Sequence, residues 1–561
     1  MNNRGLIFIL IFISTTLISK GAQVKIDGLT YDLNNEDMTA IVAGHEDLTA
    51  NVVIPSIIAV DGQEFTVTEI GEKCFHNCFK LTSIEFPNTL VRIGDFAFEG
   101  CNILEEIDIP DSVEEVGESC FHNCFKLKKA TIGEGVRKIG KDCFSGCDEL
   151  ETFVYNAEEC IFEVTSMSDV HGPGFSDNPA KPVLPSVSNL KIGNKVRRIP
   201  DFFFYSNNEL KELNLPSSVI SIGKRAFYEC REIKKANIPS SVVEISESAF
   251  SWSNLQNLII EDGTEPLKLG ENAFRAITCE NLYLGRNIED YVHPFRGDSY
   301  LKELTIDGGV TKIDFSEFSD CMALKNVRIG DSVVEIGSDA FNNCKNLNSV
   351  SIGNSVREIG FDAFEKCVNL KKVNINRLED WLKINFRGTE SNPLYQASHL
   401  YLNDTEIINL VIPESVSMIP YSAFNGARYI KTLSLNSKEQ MYIGGCAFEE
   451  CYNLTDIYAN TPYIPETPSL YTIFPINVFS VAVLHVPAKD VEAYKSDSFW
   501  RSFKNIVPIE TDGVEGIVDD EATSYTVYTT DGRLVLKDGR KEDLDGLKKG
   551  LYVINGRKVI R

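Results

Sequence analysis

The sequence predicts a repeat solenoid whose coils each carry a parallel β-strand and a short turn or helical turn, with a small C-terminal β-domain. Three observations carry this prediction. Phenylalanine recurs at Phe75, Phe98, Phe121 and Phe144, resumes at Phe204, Phe227, Phe250, Phe274, Phe295, Phe318, Phe341 and Phe364, and ends at Phe424 and Phe448, in ordinary steps of 21 to 24 residues. Around these fourteen anchors the same offsets return, shown in one unit by Ile336, Gly337, Ala340, Phe341, Cys344, Leu347, Val350 and Ile352. The last two alternate with a polar residue, the period of a half-buried strand, while the Gly and the small residue before the aromatic mark a tight turn. A unit this short cannot bury its apolar edge alone, so neighbours must stack.

Along the chain, residues 1–21 have an Arg4 start, an apolar run from Leu6 to Ile13 and a small-residue exit near Gly21, which reads as a secretory signal peptide. The run is too short to span a bilayer, which takes about 20 apolar residues, so no membrane insertion is expected. Residues 22–66, with alternating runs Val24 to Leu33 and Val52 to Pro55, are expected to form an N-terminal β cap, and 67–460 the solenoid. The gaps from Phe144 to Phe204 and from Phe364 to Phe424 are each 60 residues, one step plus a long repeat of 37, placing long repeats near 155–200 and 376–420. SDNPA (176–180) and ESNPL (390–394) occupy matching places in them. Residues 461–510 read as a C-terminal cap closed by Trp500, 511–520 as an acidic linker, and 521–561 as short strands around Asp531-Gly532 and Asn555-Gly556, both hairpin signals.

Units such as SVVEIGSDAFNNCKNLNSVSIGNSV (332–356) resemble the leucine-rich repeats of the BspA-like surface protein family, over roughly residues 65 to 460. The resemblance implies a solenoid of leucine-rich-repeat type that binds other macromolecules, in adhesion to host or matrix proteins or to other cells. Asn207, Ser253 and Ala427 depart from the template Cys, and Ile313-Asp314 replaces Ile-Gly. The final 40 residues or so resemble the C-terminal sorting domains of type IX secretion in Bacteroidetes, which implies export to the cell surface or beyond.

Chemistry-bearing motifs are few. Nine of the fifteen cysteines stand three residues after an anchor, and Cys74, Cys120 and Cys143 stand just before one, where other units carry Ala. A position that accepts Ala or Cys asks for a small buried group, so free thiols are expected rather than a zinc site, which needs four convergent ligands. No metalloprotease, nucleophile-elbow or phosphate-loop motif occurs, so no enzyme, catalytic residue, metal or cofactor is expected. A formal charge of −26 opposes nucleic acid as a partner. Binding is the remaining task, to proteins or glycans at the cell surface. Its candidates are Phe162 in the first long repeat, and Trp381, Phe386 and Tyr395 in the second, because long loops on rigid scaffolds often carry function. To these is added Arg296-Gly297-Asp298, the tripeptide by which many matrix proteins engage integrins, although Asp298 falls on the inward Cys position. The residues between the strand apolars, among them Glu85, Asp108, Thr131, Asn214, Asn237, Thr305, Arg328, Ser351, Asn374 and Ser434, are expected to form an outward ladder. A scaffold of the bacterial envelope that binds glycan or a partner protein is the alternative function.

Overall fold

A computed structural model describes residues 22–46, 50–165, 183–289, 293–468, 472–509, 524–529, 532–547, 551–555 and 557–560. The expected signal segment, most of the first long-repeat loop and the acidic linker lie outside the described residues. The chain forms two compact units, Met1–Leu282 with Ile288–Pro294, and Tyr283–Asn287 with Phe295–Arg561. Each is a parallel β-solenoid.

In the first unit, an antiparallel hairpin of Gln23–Ile26 and Leu29–Asn34 lies against Thr39–His45, which pairs in parallel with Gln63–Ile70. That strand then pairs with Arg92–Ile93, so the sheet of the N-terminal segment runs directly into the coils. A regular coil is seen at Lys129–Ile132, parallel to Glu106–Asp108 and Thr152–Tyr155, with Ala130 and Ile132 buried and Lys129 and Thr131 turned outward.

Each coil carries a second parallel strand that the sequence reading lacks. In most coils it is two residues long and ends on an Ile or Val, often just before the template Gly, as in Arg92–Ile93, Glu115–Val116 and Lys138–Ile139. Glycine makes this ladder possible: a Cβ on Gly117 would lie 2.5 Å from Asp95 N, and one on Gly140 2.5 Å from Glu118 N. Two residues are too few for a period-two pattern to be read.

The turns are not helical. In all fourteen, the residues two before and two after the anchor have positive φ, as at Lys73 and Asn77 (56° and 59°) or Asp339 and Asn343 (54° and 62°). These left-handed kinks aim alternate N–H groups at the next coil: Lys73, Phe75 and Asn77 donate to Asp95, Ala97 and Glu99 carbonyls at 2.7–2.9 Å. Between the kinks the anchor ring points inward. Phe75, Phe98, Phe121 and Phe144 stack at 5.0, 5.3 and 5.6 Å with planes within 12°. Each such ring removes ~150–250 Å² from water, so the stack is a continuous apolar spine.

The cysteines three residues after an anchor are buried for a reason beyond size. From Cys101 onward their thiols donate to the anchor carbonyl of the preceding coil, as in Cys101 to Phe75, Cys124 to Phe98, Cys230 to Phe204 and Cys344 to Phe318, at 3.0–3.2 Å. All fifteen cysteines are buried and unbridged. Asn207 and Ala427 replace Cys in the coils that follow the two long repeats. Asn207 reaches Leu184 and Val187 carbonyls instead, at 2.6 and 2.9 Å. Beside Ala427, a Cβ on Gly426 would lie 2.5 Å from Leu394 O, so the second long repeat presses directly on that turn.

In the second unit the main sheet runs through Glu303–Gly309, Asn326–Ile329, Ser349–Ile352, Lys372–Ile375 and Leu400–Leu402. Another begins at Asn409–Ile412 and continues through Thr432–Leu435, Asp456–Ala459, Val483–Val486 and Asn505–Pro508. The Phe spine extends one ring past Phe448, to Phe474 at 5.3 Å. Trp500 is fully buried there, its indole N–H donating to Pro465 O at 2.9 Å. The last residues form an antiparallel sheet of Tyr525–Thr529, Leu534–Gly539, Leu551–Ile554 and Arg557–Ile560 over a core of Tyr525, Val527, Leu544, Tyr552 and Ile554.

Candidate functional site

In each coil the outward position of the longer strand is set by alternation: the residues on either side of it face the core, so it faces away. Glu85, Asp108, Asn214 and Arg328 are exposed, and Thr131, Asn237, Thr305 and Ser351 half-exposed. Asn374 and Ser434 are buried instead. Asn374 is covered because the turn at Asn403 and Asp404 folds over it, Asp404 N donating to its Oδ1 at 3.0 Å. Ser434 lies in register between Val411 and Tyr458.

From this point the row changes character. Asn374 is followed in register by Tyr401, Ser434 by Tyr458, and Tyr458 by His485. Lys372 Nζ sits 4.8 Å over the Tyr401 ring and 2.6 Å from Asp404. His399 stacks on exposed Tyr429 at 3.7 Å, with Nδ1 2.5 Å from Glu406 Oε1. His485 stacks on Tyr458 at 4.3 Å and places Nε2 3.0 Å from Asp456 Oδ1. Rings held this way present amphipathic contact area at little cost in side-chain entropy, and cations and carboxylates flank them. Sequence reasoning missed the patch. Tyr458 does lie ten residues after an anchor, between template apolars, but Tyr401 and His485 have no anchor to count from. Close by, a groove of about 500 Å³ separates the second long repeat from the terminal hairpin, with Arg377, Leu378, Leu402, Leu410, Tyr528 and Leu534 in its walls.

The aromatic candidates from the long repeats are mostly core. Trp381 is buried in the helix Leu378–Trp381, its indole N–H donating to Ala423 O at 2.9 Å, and Phe386 is buried 5.2 Å from it. Phe162 is buried against Phe203 at 5.4 Å. A long repeat lacks the anchor Phe, and these rings fill the volume that it leaves. Tyr395 is half-exposed. In Arg296-Gly297-Asp298, Arg296 is exposed and Gly297 has the positive φ of 70° that its turn position takes in every coil. Asp298 turns inward and accepts from Tyr300 N and Leu301 N at 2.7 and 3.1 Å. Burial holds its carboxyl above the usual range, against those two N–H donors. The tripeptide therefore offers a guanidinium to solvent, while its carboxylate is engaged in the turn.

Among the described residues, no group of three or more His, Cys, Asp or Glu side chains is placed to hold a metal ion. No described helix is long and apolar enough to cross a membrane.

Comparison with known proteins follows the repeats. The BspA-type leucine-rich repeat region, in six copies, matches residues 64–171, 184–293, 286–391 and 397–472. Among solved structures, the chain is similar to a leucine-rich repeat protein from Bacteroides ovatus, with 26% identity over 65% of this chain and 99% of that one, at a TM-score of 0.38. It is similar also to a leucine-rich cell surface protein from Faecalibacterium prausnitzii, with 22% identity over 79% and 95% of the two chains and a TM-score of 0.29. A leucine-rich repeat protein of T. pallidum shares 22% identity over 44% and 85%, with a TM-score of 0.23. No curated protein matches.

Proposed function

The chain belongs to the BspA-type leucine-rich repeat family, and from that premise we propose that it is an exported, surface-displayed protein that binds other macromolecules, in adhesion to host or matrix proteins or to other cells. In this reading it acts at the surface by binding and not by catalysis. The single observation that carries this reading is the outward position of Tyr401, Tyr458 and His485, where rings and charges are fixed on the outer faces of two successive parallel sheets of the second unit. Tyr395 and Arg296 are further contact candidates, at the edge of the second long repeat and on the turn face. The tail from 521 onward serves as a type IX sorting domain in this reading, and residues 1–21 as the export signal.

The test is solid-phase binding of the full chain to matrix proteins and to cells, with Tyr401→Ala and Tyr458→Ala combined. Binding should fall by about tenfold or more, the loss expected for truncating well-packed interface aromatics, while thermal unfolding stays unchanged. Undiminished binding by a folded double variant refutes the site. Protease shaving of intact cells tests location, since a protein untouched until the outer membrane is opened is not an adhesin. The alternative, an envelope scaffold that binds glycan or a partner protein of the same bacterium, is favoured by the carboxylates of Asp456 and Glu406 beside stacked rings, an arrangement suited to sugar hydroxyls and ring faces.

A further inference from the structure

The row of thiols has a first member, and its surroundings differ from the rest. Cys101 and its successors donate to the anchor carbonyl of the coil before them, but Cys78 belongs to the first anchored coil and has no earlier Phe to reach. The strand Thr39–His45 fills the vacant place. The His45 ring stacks on Phe75 at 5.7 Å with 4° between planes, extending the Phe spine, and its Nε2 lies 2.8 Å from Cys78 Sγ. A carbonyl oxygen, which cannot take the thiol proton, is thus replaced by an imidazole nitrogen, which can. Pairing with imidazole is one of the ways in which a thiol is activated to the nucleophilic thiolate.

Two further observations bear on reactivity. His45 Nδ1 has no hydrogen-bond partner among the described residues, and burial holds the ring below the usual imidazole pKa, which favours the neutral form that can accept a proton. The neighbouring Cys101 thiol holds Cys78 below its usual pKa against the effect of burial, and Cys101 itself is held well above the usual thiol range. Access also differs: Cys78 keeps 7% of its surface and Cys446 8%, while every other cysteine keeps 4% or less.

We infer that Cys78 and His45 form a reactive thiol site that attacks small-molecule disulfides, with Cys101 as the resolving thiol. In the first step His45 accepts the Cys78 proton and Sγ attacks one sulfur of R–S–S–R. An Sγ–S bond forms, the R–S–S–R bond breaks, and RS⁻ leaves with the proton from His45. Cys101 Sγ then attacks Cys78 Sγ and expels the second RS⁻, which carries away the Cys101 proton. Two protein thiols are oxidised to one disulfide, and one small disulfide is reduced to two thiols. The spacing permits the bond: Asn77 N donates to Glu99 O at 2.7 Å, which sets adjoining coils ~4.8 Å apart, within the ~4.4–6.8 Å Cα range of disulfides.

The same contact in a purely structural role would leave Cys78 as inert as its neighbours, and the experiment separates the two. The native full-length protein is treated with 5,5′-dithiobis(2-nitrobenzoate) and its cysteines are mapped by mass spectrometry over time. Cys78 should react about tenfold faster than Cys446 or better, as expected of an imidazole-paired thiol against one raised by burial. Two equivalents of nitrothiobenzoate should appear per Cys78 consumed, with a Cys78–Cys101 disulfide. C101S should release one equivalent and retain the mixed disulfide. H45F, which installs the ring that other coils use at this point of the stack, should slow Cys78 about tenfold and leave Cys446 unchanged. The proposal is overturned if Cys78 reacts no faster than Cys446, if H45F leaves its rate unchanged, or if the wild type stops at the mixed disulfide. Should H45F fail to fold, the wild-type ratio of Cys78 to Cys446 decides alone.

Discussion

Gly360→Ala tests the account of the coils most directly. A Cβ at Gly360 would lie 2.4 Å from Ser338 N and 2.8 Å from Gly337 C, both backbone atoms of the preceding coil, where 3.4–4 Å is ordinary contact. Backbone cannot step aside as a side chain can, so the coils must separate by on the order of 1 Å, the difference between those distances. That movement strains the Gly360 N to Ile336 O hydrogen bond of 2.8 Å, the pairing of Glu335–Ile336 with Glu358–Ile359, and the Phe341–Phe364 stack at 5.3 Å. Overpacking costs about 1–3 kcal/mol and a weakened hydrogen bond about 1 more, giving an expected loss of about 2–4 kcal/mol. Gly44→Ala is the control, since nothing lies within 4 Å of its Cβ, and it should stay within about 0.5 kcal/mol of wild type. Urea unfolding measures both. Because coils couple mainly to their neighbours, amide exchange in the variant should rise chiefly across residues 335–364. Equal effects of the two substitutions, or a uniform rise in exchange, would refute close coil approach as the reason for the template Gly.

Phe341→Ala should cost about 3–5 kcal/mol by urea unfolding, as buried aromatic truncations do, because the ring is fully buried between Phe318 and Phe364 at 5.7 and 5.3 Å. Phe79→Ala, on an exposed ring four residues past an anchor, should change stability by less than about 0.5 kcal/mol. A thiol titration should find all fifteen cysteines after unfolding in guanidinium, and only slow reaction at most of them in the native protein; no thiols after unfolding would sink the unbridged row. Asp298→Asn should stabilise the protein near neutral pH. Burial holds the folded carboxyl above its unfolded pKa, so ionisation works against folding, and wild type should regain the difference as pH falls through the folded pKa. Thermal unfolding at neutral and acid pH, with the variant flat where wild type changes, checks the sign.

What was legible in the sequence was whatever the repeat enforced at many positions at once. A single Phe says little, but fourteen at one spacing require stacking, and the offsets at Leu347, Val350 and Ile352 give the strand and its face. The positive-φ kinks left no such trace, since residues as different as Lys73, Phe96, Asp142 and Cys446 occupy one of the two positions; backbone pairing with the next coil overrides local preference there. The second strand was hidden by its length. Long repeats misled for the opposite reason: Trp381 and Phe386 look like display residues on a loop, yet a coil without an anchor Phe must fill its interior with something, and these rings fill it.

The departures from the template carry the most specific information, because each breaks a pattern that packing would otherwise keep. Asn207 keeps the hydrogen-bonding task of the Cys it replaces and reaches a different carbonyl, so its departure is structural. His45 takes the place of a Phe ring and of a carbonyl together, and only the second exchange sets a titratable group against the thiol, which is what distinguishes Cys78 from the thiols after it. The outward row contrasts with both. Thr131 and Ser351 suffice to solvate a strand, whereas Tyr401, Tyr458 and His485 leave ring surface facing water and gain no core burial in return. Each ring is also held in place by a neighbour: Lys372 over Tyr401, Asp456 against His485, and His485 against Tyr458. Apolar surface fixed in one geometry on an open face has most to gain from an occupant that covers it, which is why the proposed binding is put on these rings and not on the buried aromatics of the long repeat.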